Sequence, residues 1–185
     1  MRLALLAAAL ALTACDQVYL EAQVPDLCQH LANQTFAIPP ELRARYAQLP
    51  PELTQAFELG KSFDFDVSVQ VPAELQHLQS RFTLTSIRIT AVQPTTDFGF
   101  LQSARVTLEA PTDGTLAPHT LEYQRATPHP TEVLWNGEAF DLGPYLATGT
   151  LRYTVALVGT LPDTDVGADL EVCASAAVRL NYLQR

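Results

Sequence analysis

The segment 168–182, ADLEVCASAAVRLNY, decides the fold class, because apolar residues alternate with others throughout it. Side chains of a β-strand point to opposite faces of a sheet in turn, so a period of two predicts one long strand with a single buried face. Cys173 falls on the other, more polar face, together with Asp169 and Arg179. The apolar face comprises Ala168, Leu170, Val172, Ala174, Ala176, Val178, Leu180 and Tyr182.

The same alternation recurs upstream in shorter stretches, starting after Gly60 and separated by Pro, Asp, Gly and Thr. In one of them the phase slips by one residue at Thr85-Ser86, which predicts a β-bulge. Closely spaced strands without helices between them favour a mainly β fold, an antiparallel β-sandwich of about seven strands. The shorter predicted strands cover about residues 62–71, 82–91, 104–110, 121–123 and 151–157.

Residues 40–58 are predicted to form a short helical segment ahead of the strands. The sequence Pro-Pro-Glu-Leu occurs twice, from Pro39 and again from Pro50. Each copy places a proline in the first helical turn, where no N–H is needed, and an acid near the positive end of the helix dipole. Gly60 is the predicted stop of this segment.

A β-hairpin is predicted at Asn136-Gly137, which lies between apolar flanks in the segment 133–140. A two-residue type I′ turn requires a positive φ at both central residues, and Asn followed by Gly tolerates this conformation well. The chain is therefore expected to reverse its direction at this dipeptide.

Composition restricts the class of protein. The chain has 185 residues, 48% of them hydrophobic and 17% charged, which suits one globular domain. It has 11 Lys and Arg against 20 Asp and Glu, for a formal net charge of −9. Nucleic-acid phosphates require a basic surface, so no nucleic-acid partner is expected. A single lysine, Lys61, also argues against a polybasic patch for anionic lipids.

The N-terminus has the pattern of a signal peptide at residues 1–14. Arg2 supplies a positive charge, and residues 3–12 are an unbroken run of Leu and Ala. A run of this length matches the apolar region of a signal peptide, whereas a spanning helix needs about 20 residues. The next residues, Leu12-Thr13-Ala14-Cys15, resemble the lipobox of bacterial lipoproteins.

That resemblance implies cleavage before Cys15 and acylation of its thiol and of the new amino group. It implies an envelope protein anchored in the membrane by lipid and facing the periplasm or the cell surface. Asp16 resembles the inner-membrane retention residue of enteric bacteria, a rule that varies between bacterial groups. The alternatives are an ordinary secretory signal with a coincidental cysteine and a retained short anchor.

The mature chain is predicted to have one folded domain. Residues 15–38 are expected to form a lipidated tether, interrupted by Pro25, and residues 39–185 a single β-sandwich with its N-terminal helical segment. The body resembles short envelope lipoproteins of Gram-negative bacteria, a likeness that carries no activity with it.

Cys28 and Cys173 remain once Cys15 is assigned to the lipid, and an oxidising compartment favours a disulfide between them. The bridge would close a loop of roughly 145 residues and, in the chain-entropy model, stabilise the fold by about 4–5 kcal/mol. Because Cys173 lies on the polar face of its strand, the bridge is expected outside the main core. The alternative is two buried free thiols. The spacing excludes a CxxC redox pair.

Acids near the last predicted loop raise the question of calcium binding. An EF-hand needs Gly at position six and Glu at position twelve, but counting from Asp163 places Gly167 at five and Ala174 at twelve. Solvated turn acids are the preferred interpretation, with an irregular calcium site as the alternative. These acids are Asp163, Asp165, Asp169 and Glu171.

Other groups form no recognised catalytic motif, so no catalytic residue, metal ligand or cofactor is assigned. Asp64 and Asp66 share the wet face of one predicted strand. The sequence lacks a GxSxG elbow, a P-loop and a dinucleotide fingerprint. The histidines include no HExxH motif or close pair, which leaves a zinc site assembled from loops as the metal alternative. They are His30, His77, His119 and His129.

Ligand sites on β-sandwiches usually lie in end loops or along an edge strand. Trp135, at the end of the predicted hairpin, is the candidate for stacking on a sugar ring, although packing over the end of the sandwich is the preferred interpretation. The candidate loops are 93–103, 111–120, 126–131 and 160–168.

Three functional hypotheses follow. The first is a non-enzymatic, lipid-anchored binding or structural module, with the membrane and an envelope protein as its partners. The second is a carbohydrate-binding module, which requires a flat, exposed aromatic strip that includes Trp135 and a tyrosine such as Tyr145. The third is a small periplasmic hydrolase or metal-dependent enzyme whose site assembles from loops. It requires at least two of a set of side chains to meet within hydrogen-bonding reach: His119, His129, Asp97, Asp163 and Asp165.

Overall fold

The computed structural model describes residues 19–49, 56–66 and 79–181. These residues contain mostly strands, with two short helices. In chain order the elements are β1 (Tyr19–Phe36), α1 (Pro40–Tyr46), β2 (Phe57–Asp66), β3 (Gln79–Ala91), β4 (Leu101–Glu109), β5 (His119–Gln124), β6 (Glu132–Asn136), α2 (Gly143–Leu146), β7 (Thr150–Gly159) and β8 (Val166–Asn181).

The strands form two four-stranded sheets that face each other across the hydrophobic core. The strand order is β1-β8-β3-β6 in one sheet and β2-β7-β4-β5 in the other, and every pairing is antiparallel. Successive strands alternate between the sheets, except that β4 and β5 pair within the second sheet; this is the arrangement of a jelly roll, in which each sheet contributes one face to a shared core. The predicted antiparallel β-sandwich is confirmed. The described residues hold eight strands rather than about seven.

The additional strand is β1, and the prediction of a tether over residues 15–38 is therefore wrong from Tyr19 onward. β1 pairs with β8 from Tyr19 opposite Asn181 onward. Its period of two was hidden because the register shifts twice, between Val24 and Leu27 and between Leu31 and Gln34, and each shift resets the alternation. The first shift spans Pro25, which is tolerated because β1 lies at the edge of its sheet.

The predicted phase slip in the second alternating segment is confirmed. The register of β3 on β8 shifts between Leu84 and Ser86. Because one residue is inserted there, Leu84 and Ile87 both point into the core, where neither is more than 1% exposed. The bulge keeps the buried face of β3 continuous.

The helical prediction holds only for its first half. α1 starts at Pro40 as expected, but residues 50–55 lie outside the described residues and Phe57 already belongs to β2. Gly60 lies inside β2 instead of ending a helix. Phe57 and Leu59 are buried at alternate positions and pair with β7, so the period is two from Phe57 on.

Lys61 of β2 joins the two sheets at the edge where β1 lies over β2. Its Nζ donates hydrogen bonds to Gln34 Oε1 and to the carbonyl oxygen of Thr35, both at 3.1 Å. Phe36 packs edge-on against Phe63 at the same edge, with ring centroids 6.5 Å apart. These contacts link β1 to β2, two strands that do not pair through backbone hydrogen bonds.

The predicted hairpin at Asn136-Gly137 is wrong. β6 pairs with β3, and after Asn136 the chain loops out and then continues along β3. The positive φ angles occur at Glu138 and Ala139, at 50° and 57°. Gly137 is needed for space, since a Cβ there would lie 2.2 Å from the carbonyl oxygen of Leu84. A tertiary contact, which the local sequence does not contain, decides this turn.

The disulfide between Cys28 and Cys173 is confirmed, with Cα atoms 4.1 Å apart. The two residues lie directly opposite each other in the β1–β8 ladder. Val172 belongs to the core cluster whereas Cys173 does not, so the bridge lies on the outer face of the sheet, outside the main core as expected.

Gly137→Ala should destabilise the fold by at least about 2 kcal/mol, because the new methyl group meets the backbone of β3. Gly114→Ala is the matched control: a Cβ there has nothing within 4 Å, so its effect should stay within about 0.5 kcal/mol. Urea unfolding followed by circular dichroism measures both. Equal stabilities for the two variants would contradict the packing described at Gly137.

Candidate functional site

A cavity of about 400 Å³ lies between the sheets, at the end of the sandwich where β2 ends and β7 begins. Well-packed cores leave few voids larger than a water molecule, while ligand pockets have volumes of about 300–1,000 Å³. None of its described lining residues carries a charge. They are Leu27, Cys28, Gln29, Phe65, Phe82, Leu142, Leu146, Leu151, Tyr153, Val172 and Ala174.

The alternation of β1 and β8 explains how these strands line the cavity. Leu27 and Gln29 flank Cys28 in β1, so their side chains face inward while the disulfide lies outside. Val172 and Ala174 flank the partner cysteine in β8 in the same way and pair with Gln29 and Leu27. The small side chain at Ala174 leaves space that a larger residue would fill.

The mouth of the cavity is marked by Leu27, which is 45% exposed although it lines the cavity. Phe65 and Phe82 are half-buried beside it. On this side β2 ends at Asp66 and β3 begins at Gln79, and residues 67–78 lie outside the described residues.

One polar pair interrupts the apolar wall. Tyr153 is 2% exposed, and its hydroxyl donates a hydrogen bond of 2.5 Å to Gln29 Oε1. Burial raises the pKa of Tyr153, which keeps the hydroxyl protonated and able to donate. The N–H groups of the Gln29 carboxamide have no hydrogen-bond partner among the described residues.

A second cavity, of about 420 Å³, lies at the opposite end of the sandwich between two loops. It falls within the predicted candidate loops 93–103 and 160–168. Asp97 and Asp163 both line it, and its described lining residues include no Lys, Arg or His. The hydroxyl of Thr95 accepts a hydrogen bond from the N–H of Gly167 and so connects the two loops.

Asp97 and His129 meet the distance that the enzyme hypothesis requires. His129 Nδ1 lies 3.4 Å from Asp97 Oδ1, which also accepts a hydrogen bond from the N–H of Gly99 at 2.7 Å. The His129 side chain is 74% exposed. Among the described residues no hydroxyl or thiol is hydrogen-bonded to this pair. The contact connects the 126–131 loop to the loop before β4. Arg125, which precedes the 126–131 loop, also donates a hydrogen bond to the carbonyl oxygen of Gly99.

The aromatic strip expected of a carbohydrate-binding module does not form from the predicted residues. Trp135 is 3% exposed and packs edge-on against Tyr123, with ring centroids 6.0 Å apart. Tyr145 is 7% exposed, and its hydroxyl donates to the carbonyl oxygen of Ala117. The prediction that Trp135 stacks on a sugar is therefore corrected: its ring is part of the core. His119 stacks on Phe140 at 3.7 Å.

Most of the acids of the last loop and of β8 bind neighbouring parts of the chain. Asp165 accepts hydrogen bonds from the N–H of Ile38 and from Arg43, which fastens α1 to the loop before β8. Asp169 accepts the N–H of Asn33 at 2.7 Å and lies 3.8 Å from His30. Within the described residues no three metal-binding side chains lie together.

The carboxylate of Asp64 lies on the outer face of β2. It accepts two hydrogen bonds from Arg152, at 2.6 and 3.0 Å, and this hydrogen bonding lowers the pKa of Asp64. Cys15 and His77 lie outside the described residues, as does the side chain of Asp66.

Gln29 and the cavity itself were not predicted from the sequence. Gln29 was assigned to the tether, so its contact with Tyr153 had no basis. One signal was present: the apolar face of the last strand contains small residues, Ala174 and Ala176, and small residues leave space in a core.

No protein-family model matches the sequence, and no curated protein matches it. Among solved structures, the chain is similar to the decameric BFDV capsid protein at 8% identity, with 88% of this chain and 100% of that chain covered and a TM-score of 0.45. It is similar to Desmodium yellow mottle tymovirus at 9% identity, 91% of each chain and a TM-score of 0.36.

A third similar structure is TmCBM61 in complex with beta-1,4-galactotriose, at 11% identity, 87% of this chain, 88% of that chain and a TM-score of 0.29. At these identities and TM-scores the similarities carry no inference about function. Across residues 19–49, 56–66 and 79–181, neither helix has the length and apolar character to cross a membrane.

Ionisation of Tyr153 should couple stability to alkaline pH. Its raised pKa means that the folded chain keeps a proton that the unfolded chain loses above the ordinary value of 10.0. The stabilisation is therefore present below pH 10 and is lost as the pH rises further. Tyr153→Phe should lose less stability between neutral pH and about pH 11. Urea unfolding across that range measures this; equal alkaline losses in both proteins would contradict it.

Proposed function

We propose that this chain is a lipid-anchored protein of the bacterial cell envelope that acts as a non-enzymatic binding module for an apolar ligand. The observation that carries the proposal is the uncharged cavity of about 400 Å³ between the sheets. An apolar pocket of this size with a small number of polar groups is the usual form of a small-molecule site.

The anchor rests on Leu12-Thr13-Ala14-Cys15, the segment that resembles a lipobox. Two or more acyl chains hold a protein stably at a membrane, since each buried CH₂ contributes about 0.8 kcal/mol. The net charge of −9 becomes more negative once Arg2 is removed with the signal peptide. Charge therefore does not attract the body to an anionic surface, and lipid has to hold it there.

The start of β1 supports a short connection between the lipid and the sandwich. Only residues 16–18 separate Cys15 from Tyr19, and three residues span at most about 11 Å. β1 begins at the end of the sandwich that contains the cavity, because Tyr19 pairs with Asn181 and Leu27 pairs further inward with Ala174. An acylated Cys15 would direct the cavity end toward the membrane.

A binding module at the membrane needs a source and a recipient for its ligand. The proposal therefore includes the membrane itself and an envelope protein partner. The Asp97–His129 contact is the one observation that favours the loop-site enzyme. The His129 side chain is 74% exposed, and Asp97 accepts a hydrogen bond from the N–H of Gly99 in its own loop. The contact supports the enzyme hypothesis less than the apolar cavity supports the binding function.

Cys15→Ser should abolish labelling of the protein by a fatty-acid probe in a Gram-negative host, because the thiol that accepts the diacylglyceryl group is gone. Gln17→Ala, two residues further on, is the control and should be labelled as strongly as the native chain. In-gel detection of the probe measures both. Labelling that persists in Cys15→Ser would contradict the anchor.

The cavity should bind N-phenyl-1-naphthylamine, a neutral apolar dye that becomes fluorescent in an apolar environment. The mature chain carrying Cys15→Ser, with its disulfide intact, is titrated with the dye. Ala174→Phe should weaken binding about tenfold or more, because the phenyl ring occupies the cavity. Ala126→Phe, at an exposed loop position, is the matched control and should bind like the native chain.

Circular dichroism confirms that both phenylalanine variants are folded. Absence of dye binding to the native chain, or equal binding by the two variants, would show that this cavity is not the binding site.

A further inference from the structure

We propose that the ligand of the inter-sheet cavity is a single long-chain acyl group whose carbonyl oxygen accepts a hydrogen bond from the Gln29 carboxamide; this rests on the binding function proposed above. Three features of the cavity lead to this class of ligand: its wall, its single polar pair and its place in the fold.

The wall determines the body of the ligand. Its described lining residues are aliphatic or aromatic apart from Cys28, Gln29 and the hydroxyl of Tyr153. An apolar cavity of about 150 Å³ accepts a benzene-sized molecule, so about 400 Å³ has room for roughly a dozen or more carbon atoms. That is one aliphatic chain, and not the two chains of a phospholipid.

The polar pair determines the chemical group on the chain. Gln29 Oε1 accepts the hydrogen bond from the Tyr153 hydroxyl. The two N–H donors of the same carboxamide are then the groups that can bind the ligand. Gln29 is only partly buried, but a ligand that covers these donors has to supply an acceptor or leave them unpaired at a cost. A carbonyl oxygen supplies the acceptor without a charge, which suits a cavity whose described lining offers no cation.

The place of the cavity determines the source of the ligand. It lies toward the end of the sandwich where β1 begins, the end that the proposed lipid anchor would hold near the membrane. Single-chain membrane lipids carry this carbonyl as an ester, and free fatty acids carry it in their protonated form; a membrane is a source of both. The shared chemistry is the chain with its carbonyl, and the head group stays at the mouth near Leu27, which is 45% exposed.

The test compares two competitors that differ by the carbonyl alone. Monolauroylglycerol has an ester carbonyl, and 1-O-dodecylglycerol has the same head group and a twelve-carbon chain without it. Each displaces N-phenyl-1-naphthylamine from the mature Cys15→Ser chain. The ester should bind about five- to tenfold more tightly than the ether, the effect of one hydrogen bond.

A double variant, Gln29→Leu with Tyr153→Phe, removes the donor and leaves no unpaired hydroxyl behind. Replacing both partners of a hydrogen bond by apolar groups is nearly neutral for stability, so this variant is expected to fold. It should bind ester and ether equally, with each displacement referred to the variant's own affinity for the dye. Gln124→Leu, at an exposed position, is the matched control and should retain the preference for the ester.

The outcomes separate the two proposals. Dye binding with equal affinity for ester and ether in the native chain would overturn the acyl assignment and leave the apolar binding function standing. No dye binding would overturn the function itself. Laurate and lauroyl-lysophosphatidylcholine serve as further competitors: tighter binding of one assigns the source, and failure of both to compete contradicts an acyl ligand.

Discussion

Hydrogen-bonded pairing between β1 and β8 brings the two ends of the described chain into one sheet, with Tyr19 opposite Asn181. The disulfide between Cys28 and Cys173 joins directly opposed residues of this ladder and so prevents a change of register. In a sheet, a slip by one residue turns every side chain to the other face. The inward position of Gln29, and with it the polar pair in the cavity, therefore depends on this one ladder.

The disulfide also bears on the stability of a fold that contains a cavity. A void removes packing contacts from the side chains around it and so lowers stability. A crosslink that spans 145 residues restricts the unfolded chain and, in the chain-entropy model, adds about 4–5 kcal/mol. The crosslink joins β1 to β8 on the outer face of the sheet that forms one wall of the cavity, and so it holds these two strands of the wall together.

The parts of the fold that were predictable are those encoded by short-range alternation. The segment 168–182 needs one buried face to explain its pattern, and the slip at Thr85-Ser86 was visible as a change of phase. β1 was missed because two register shifts break its alternation. The dipeptide Asn136-Gly137 suggested a hairpin, but the proximity of Leu84 decided the path of the chain.

The candidate site was predictable only in part. The pairing of Cys28 with Cys173 follows from the count of cysteines and the expected compartment. Asp97 and His129 belong to the five side chains of which the enzyme hypothesis required at least two to meet. The contact of Gln29 with Tyr153 joins residues 124 positions apart, and no local pattern specifies it. The stacking role of Trp135 was wrong because burial of a side chain depends on the whole sandwich.

The lysine that joins β1 to β2 has a practical consequence for finding the partner. Lys61 is the only lysine in the sequence, and its Nζ is hydrogen-bonded at the sheet edge to Gln34 and Thr35. Amine-reactive reagents can therefore attach to the folded domain at one side chain only, and an acylated amino terminus would offer them no second site. Photoreactive or carboxylate-directed chemistry suits this acidic surface better, since it can capture a neighbour bound at any other face.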